Sequence, residues 1–223
     1  MPGPVRPEVV AFDVNETLVS LEPVRDRLIA AGQDPGTLEL FFARTLQHCF
    51  ALATLGQWRP FREVARAALL QSTDLAHDTV DHVLAAFGEL PPQPDVEPAL
   101  ERLAAAGIRV VTLSHGPAST AAAMLARTGL HRFVEQVLTS ESVRSFKPDR
   151  AAYLYAAAQC DVAPERVALV AVHAWDCHGA RQAGLSSGWV SRSERTFGAV
   201  YDPADVVGAT LDEVAEGLVT LPR

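Results

Sequence analysis

The chain has 223 residues, 48% hydrophobic and 21% charged, which suits one sizeable core with an inserted subdomain and excludes a disordered chain. A formal charge of −8 without any run of five or more Lys and Arg argues against phosphate-backbone binding, so no nucleic-acid partner is expected. The opening residues do not read as a leader, no apolar run approaches the ~18 residues of a membrane span, and Cys49, Cys160 and Cys177 are too widely spaced for a CxxC pair or a disulfide framework; a cytoplasmic protein with reduced thiols and no membrane partner is expected.

The first element is Val9-Val10-Ala11-Phe12, an apolar run that ends on Asp13 and reaches Thr17-Leu18 four residues later. An acid at the end of such a strand is held at the rim of a parallel sheet, where open α/β folds bind ligands. Between Ser20 and Leu90 no comparable strand appears; Val24 to Ala31, Leu38 to Leu55, Phe61 to Leu70 and Thr79 to Phe87 have helical periodicity. Pro91-Pro92-Gln93-Pro94 cannot continue a helix and reads as a hinge. Ala99 to Ala106 before Gly107, and Pro117 to Thr128 before Gly129, read as helices with glycine stops. Ile108 to Leu113, Val167 to Val172 and Ser187 to Ser191 repeat the strand pattern, Asp205 to Val207 is a candidate edge strand, and Leu211 to Leu218 is a last helix. This alternation predicts an α/β fold: a doubly wound, Rossmann-like parallel sheet with an inserted helical cap subdomain. The expected boundaries place the core at 1–19 and 92–223 and the cap at 20–91.

Each strand end supplies a polar residue: Asp13 and Thr17 after the first, Ser114 after Leu113, Lys147 before Pro148, and Asp176 after the Val167 strand. Taken together and in this order, the set resembles the haloacid dehalogenase superfamily. Within it the chain is most similar to the type II 2-haloacid dehalogenases, through Phe12-Asp13 with Thr17-Leu18, Leu113-Ser114 with Gly116, Lys147-Pro148 with Tyr153, and Ala174-Trp175-Asp176 with Gly179-Ala180. Gly188-Trp189-Val190-Ser191-Arg192 also matches that family's strand after the fourth motif.

The resemblance implies a hydrolase that needs no cofactor and acts on a small anionic substrate, a 2-haloacid, and it implies pairing as a homodimer. Asp13 would attack the α-carbon and displace halide, giving an aspartyl ester that water opens. Thr17 would hold Asp13 in place, Lys147 would keep it ionised, and Asp176 would orient the lysine. Ser114 and the His115 backbone N–H would bind the substrate carboxylate, with Tyr153 completing that environment. Trp175, beside Asp176, is either a pocket wall or core. Asn15 stands where phosphate-ester hydrolases carry a second aspartate as leaving-group acid; halide is so weak a base that it leaves without one.

Several positions depart from the dehalogenase pattern. An ungapped comparison puts Phe42 where that family carries a halide-binding arginine; Arg44 follows two residues later, roughly 200° around a helix. Arg25, Arg59 and Arg62 are the other cap arginines, each a candidate for that role or a solvated surface residue. The family's amides after the serine motif and before the Trp-Asp pair are His115 and His173 here, and its Tyr-Gly ahead of the threonine is Asn15-Glu16. Imidazole is a better base near neutral pH than an amide, so His173 reads either as the base that activates the water opening the Asp13 ester or as a hydrogen-bonded loop histidine. Glu16 reads as a gate residue or as a solvated loop acid. Three alternatives stay open: a magnesium-dependent phosphomonoester hydrolase with Asp13, Asn15 and Asp176 at the metal, a divalent site of Asp13, His173 and Asp176, and a non-catalytic protein that binds a small anion.

Overall fold

The computed structural model describes residues 3–223, arranged as one parallel sheet with helices on both faces and four helices inserted after the first strand. Strand β1, Val9–Phe12, is buried along its whole length. A strand covered on both faces can only be apolar throughout, which is why its sequence lacks alternation. Further strands are β2 (Arg109–Ser114), β3 (Gln136–Thr139), β4 (Val167–Ala171), β5 (Ser186–Val190) and β6 (Val206–Gly208). They run in the order β3-β2-β1-β4-β5-β6, every pair parallel.

This order makes β1 the point from which the chain winds outward in both directions. Its register against both neighbours is fixed: Phe12 lies opposite Thr112 of β2 and opposite Val170 of β4. In such sheets ligands bind beyond the carboxyl ends of the strands at the reversal point. Asp13 is the first residue past that end, and its N–H donates to the Val170 carbonyl at 3.0 Å, which extends the ladder by one residue and fixes the acid's position.

The insertion comprises α1 (Glu22–Ala30), α2 (Thr37–Thr54), α3 (Phe61–Ser72) and α4 (His77–Ala85), followed by a single 3-10 turn at Ala86–Gly88. The chain leaves and re-enters side by side: the Ser20 N–H donates to the Pro91 carbonyl at 2.9 Å and the Gln93 N–H to the Leu18 carbonyl at 2.9 Å. The proline run is therefore one side of a two-stranded connection, a geometry its extended backbone suits.

The remaining helices, α5 (Val96–Ala105), α6 (Ala118–Thr128), α7 (Arg150–Gln159), α8 (Ala174–Gln182) and α9 (Leu211–Thr220), cover the two faces of the sheet. α5 begins three residues earlier than the sequence suggests. Pro98 falls within its first turn, where no intrahelical donor is required. β3 was not expected; its four residues carry too short a pattern, and pairing with β2 defines it. Cys49, Cys160 and Cys177 are buried and free.

Candidate active site

Four segments deliver their polar residues to the carboxyl edge of β1 and β4. Thr17 bridges two of them: its hydroxyl donates to Asp13 Oδ2 at 2.8 Å and accepts the Val172 N–H at 3.1 Å. Lys147 comes from the loop before α7, where Asp149 caps the helix by accepting the Ala151 N–H at 2.8 Å and also holds Ser145. The lysine is wholly buried, and its Nζ donates to Asp13 Oδ1 at 2.8 Å and to Asp176 Oδ2 at 2.5 Å. Asp176 lies in the first turn of α8, whose leading N–H, that of Ala174, donates to Glu194 at 2.9 Å.

Burial alone would raise the Asp13 carboxyl, but the Lys147 ammonium and then His173 overcome this and hold it below its ordinary value. Lys147 feels the converse: desolvation pushes its ammonium down, and the charges of Asp13 and Asp176 more than restore it. Asp13 is thus ionised and supported on both oxygens, with 7% of its surface left exposed.

Tyr153 does not reach the substrate side. It is fully buried behind Asp176 and donates its hydroxyl to Oδ1 at 2.7 Å; burial, then Asp176, pushes the phenol well above its ordinary value, so it remains a donor. This corrects the expectation of a substrate contact, and the reason is helix packing: α8 approaches so closely that a Cβ at Gly179 would lie 2.6 Å from the Tyr153 hydroxyl and 2.6 Å from Pro148. Gly179→Ala should therefore destabilise the fold by about 1–3 kcal/mol through overpacking. Thermal or urea denaturation checks this, and an unchanged midpoint would show that α8 has room to move.

His173 precedes α8 and is 8% exposed. Its Nε2 meets Glu16 Oε2 at 2.9 Å, while its Nδ1 has no hydrogen-bond partner and faces Asp13 Oδ2 at 3.9 Å. Desolvation opposes the charged ring, but the hydrogen bond it donates to Glu16 and the charge of Asp13 raise its pKa above the ordinary 6.5. Sequence reasoning underrated Glu16. The signal available was its replacement of a glycine: Glu16 has φ 63°, the left-handed region in which a side chain is strained by about 1–3 kcal/mol. Arg192 holds that turn by donating to the Glu16 and Thr17 carbonyls, and it also pairs with Asp95.

Above this cluster lies an aromatic shell. His115 stacks between Trp175 (ring centroids 6.1 Å apart, 9° between planes) and Phe61 (6.1 Å, 15°), and Trp175 also meets His173 and Phe50. Burial, then repulsion by Lys147, drives the His115 pKa down to about 3, so this ring is neutral. Phe42 of α2 comes within 6.2 Å of the His173 ring, whereas Arg44 turns away and donates to the Gln71 carbonyl of α3 at 2.6 Å. Arg44 is thus corrected as a site residue, since two positions along the helix put it on the other side. Arg25 is paired with Glu22 and Glu39, Arg59 bonds to the Trp58 carbonyl, and Arg62 lies near Asp81.

Ser114 and Asn15 line the floor of an adjoining cavity of about 350 Å³. The Ser114 hydroxyl donates to the Gly116 carbonyl at 3.1 Å and keeps its own lone pairs. A magnesium ion at Asp13, Asn15 and Asp176 does not fit this arrangement. Both Asp176 oxygens are engaged, one by Lys147 and the other by Tyr153, and the ammonium lies between the two carboxylates where a cation would bridge them. The alternative of Asp13, His173 and Asp176 fails as well, because it calls on the same Asp176 oxygens, already held by Lys147 and Tyr153; among the described residues no cluster of His, Cys, Asp and Glu is arranged to hold a metal.

Comparison with known proteins agrees with the geometry. A family model described as haloacid dehalogenase-like hydrolase matches residues 7–184. Over 212 residues the chain is 27% identical to (S)-2-haloacid dehalogenase 2 of Pseudomonas sp. (strain CBS-3), covering 92% of this chain and 93% of that protein. It is 28% identical over 210 residues to (S)-2-haloacid dehalogenase H-109 of Pseudomonas putida, covering 91% of each. Its fold matches that of L-2-haloacid dehalogenase from Xanthobacter autotrophicus, solved with chloropropionic acid covalently bound, at a TM-score of 0.85 and 22% identity over 94% of this chain and 97% of that one. The shared fold, the ordered strand-end residues and the matched family model lead to one assignment: the chain belongs to the haloacid dehalogenase-like hydrolases.

Proposed function

We propose that this hydrolase dehalogenates small 2-haloacids through an ester on Asp13. The observation that carries the reading is a buried Asp13 carboxylate held anionic by Lys147, with the amide of Asn15 in place of a leaving-group acid two residues on. The curated relatives' names, (S)-2-haloacid dehalogenases, support the same substrate class.

In the first step an Asp13 oxygen forms a bond to the substrate α-carbon while the carbon–halogen bond breaks and its electron pair leaves with halide. Ser114, whose hydroxyl turns from the Gly116 carbonyl, and the His115 N–H donate to the substrate carboxylate, with the Lys147 ammonium as the nearby cation. In the second step a water attacks the Asp13 carbonyl carbon and passes its proton to His173 Nδ1. The tetrahedral intermediate then expels the 2-hydroxyacid oxygen, which takes that proton, and the regenerated Asp13 carboxyl returns to a carboxylate by releasing the second proton of the water to solvent. Glu16 fixes the tautomer, because an Nε2 proton held by its carboxylate leaves the Nδ1 lone pair facing Asp13. Esterification also removes the Asp13 charge, one of the groups that keep His173 protonated, so the ring becomes a better base when the ester has formed.

The helices at 20–91 act in this reading as a cap over the core at 1–19 and 92–223. Their paired exit and return strands, and the contribution of Phe42 and Phe61 to the aromatic shell, support that division. Pairing with a second copy follows from the resemblance alone, and a cytoplasmic location from the widely spaced cysteines and the lack of a membrane-length apolar run. Incubation with 2-chloropropionate and with a phosphomonoester, each with and without chelator, tests the substrate class: halide release that chelator does not affect is expected, and phosphate release without halide would overturn the reading. One turnover in heavy-oxygen water should leave a heavy oxygen in Asp13 and none in the hydroxyacid.

A further inference from the structure

The cavity beside the site is larger than the smallest 2-haloacids require. A liquid water occupies ~30 Å³, so a three-carbon haloacid of about six heavy atoms fills roughly half of the available 350 Å³. The volume also has a direction. Its lining includes Asn15 and Ser114, at the carboxyl edge of β1 and β2, and continues onto α3 and α4, with neither Lys147 nor His173 among the residues that line it.

Its walls are apolar: Phe61 and Ala65 of α3, Leu84 of α4, Phe87 and Ala121. Phe61 joins the cavity to the site, since one side of the ring stacks on His115 while Phe87 meets it edge-on at 6.4 Å. The space exists because alanine or glycine stands at positions 65, 85, 88, 116 and 121, where larger side chains would close it. Its one cation, Arg62, lies near Asp81 at the periphery, so the cavity offers no second anion-binding site in its depth.

From this cavity we infer that the enzyme selects 2-haloacids whose α-carbon carries an apolar chain of about four or more carbons, the chain lying between α3, α4 and α6. The inference rests on the proposed dehalogenase reading and specifies its substrate. Each methylene that leaves water for such a wall is expected to raise kcat/KM about three- to fourfold until the cavity is filled.

Halide release from the (S)-2-chloro acids of propionate, butyrate, hexanoate and octanoate tests it directly. The expected result is a stepwise rise in kcat/KM from propionate to hexanoate, with a lower hexanoate-to-propionate ratio in Ala85→Phe, whose exposed parent position tolerates bulk at the cavity wall. Turnover of propionate with a flat or falling series would overturn the chain-length inference and leave the dehalogenase reading intact. An unchanged ratio in a folded Ala85→Phe protein would also overturn it. No halide from any acid would overturn the dehalogenase reading itself, and the inference with it.

Discussion

Lys147→Met should abolish halide release and lower stability by about 3–5 kcal/mol near neutral pH, because it leaves the Asp13 and Asp176 carboxylates buried together without their shared cation. Wild-type Asp13 has a lowered folded pKa; it contributes stability that is present above its ordinary value of 3.8 and lost as pH falls through the folded value. Without the ammonium, desolvation and mutual repulsion push Asp13 above its unfolded value and move Asp176, already raised by burial, further up. Each neutral form then contributes stability that is full below the unfolded pKa and disappears as pH rises through the folded one. The deficit relative to wild type should therefore be largest at pH 8 and shrink toward pH 5. Urea unfolding across that range measures it, and a pH-independent deficit would mean that the lysine contributes packing alone.

Removal of the Glu16 carboxylate should separate the two half-reactions. In Glu16→Gln the first displacement is retained, so a burst of about one halide per active site is expected, followed by turnover slowed about 10²-fold as the Asp13 ester accumulates. His173→Ala should do the same. The pH profile distinguishes a base from a scaffold. Wild-type ester hydrolysis should rise as pH passes the raised His173 pKa; without Glu16, burial acts with less opposition and the rise should move to lower pH. A profile that keeps its midpoint, or a halide burst absent in both variants, would remove His173 and Glu16 from the second step.

Glu16→Gly adds a test of strain. Glycine adopts φ 63° without steric cost, so the variant should lose ester hydrolysis yet unfold within about 1 kcal/mol of wild type, the relieved strain offsetting the lost Glu16–His173 contact. An acid kept at a glycine-type position is explained by what its side chain holds.

Much of this was legible in the chain itself. A wholly apolar β1 that ends on an acid, with polar residues closing later strand ends, determined the sheet class and the placement of Asp13, Lys147 and Asp176. Period-3.6 patterning with no intervening strand determined the four inserted helices. These are local signals, carried by side-chain periodicity and by the residue at each strand's end. What only the tertiary structure decided depends on distances between segments far apart in sequence. Glu16 and His173 are separated by 157 positions and meet because β1 and β4 are adjacent in the sheet. Tyr153 serves Asp176 and not the substrate because Gly179 lets α8 approach α7. Arg44 turns away from Asp13 because α3 packs against α2 and brings the Gln71 carbonyl to its guanidinium. Spacing along a chain fixes which face of an element a residue takes; which partner it meets there is set by how the elements pack.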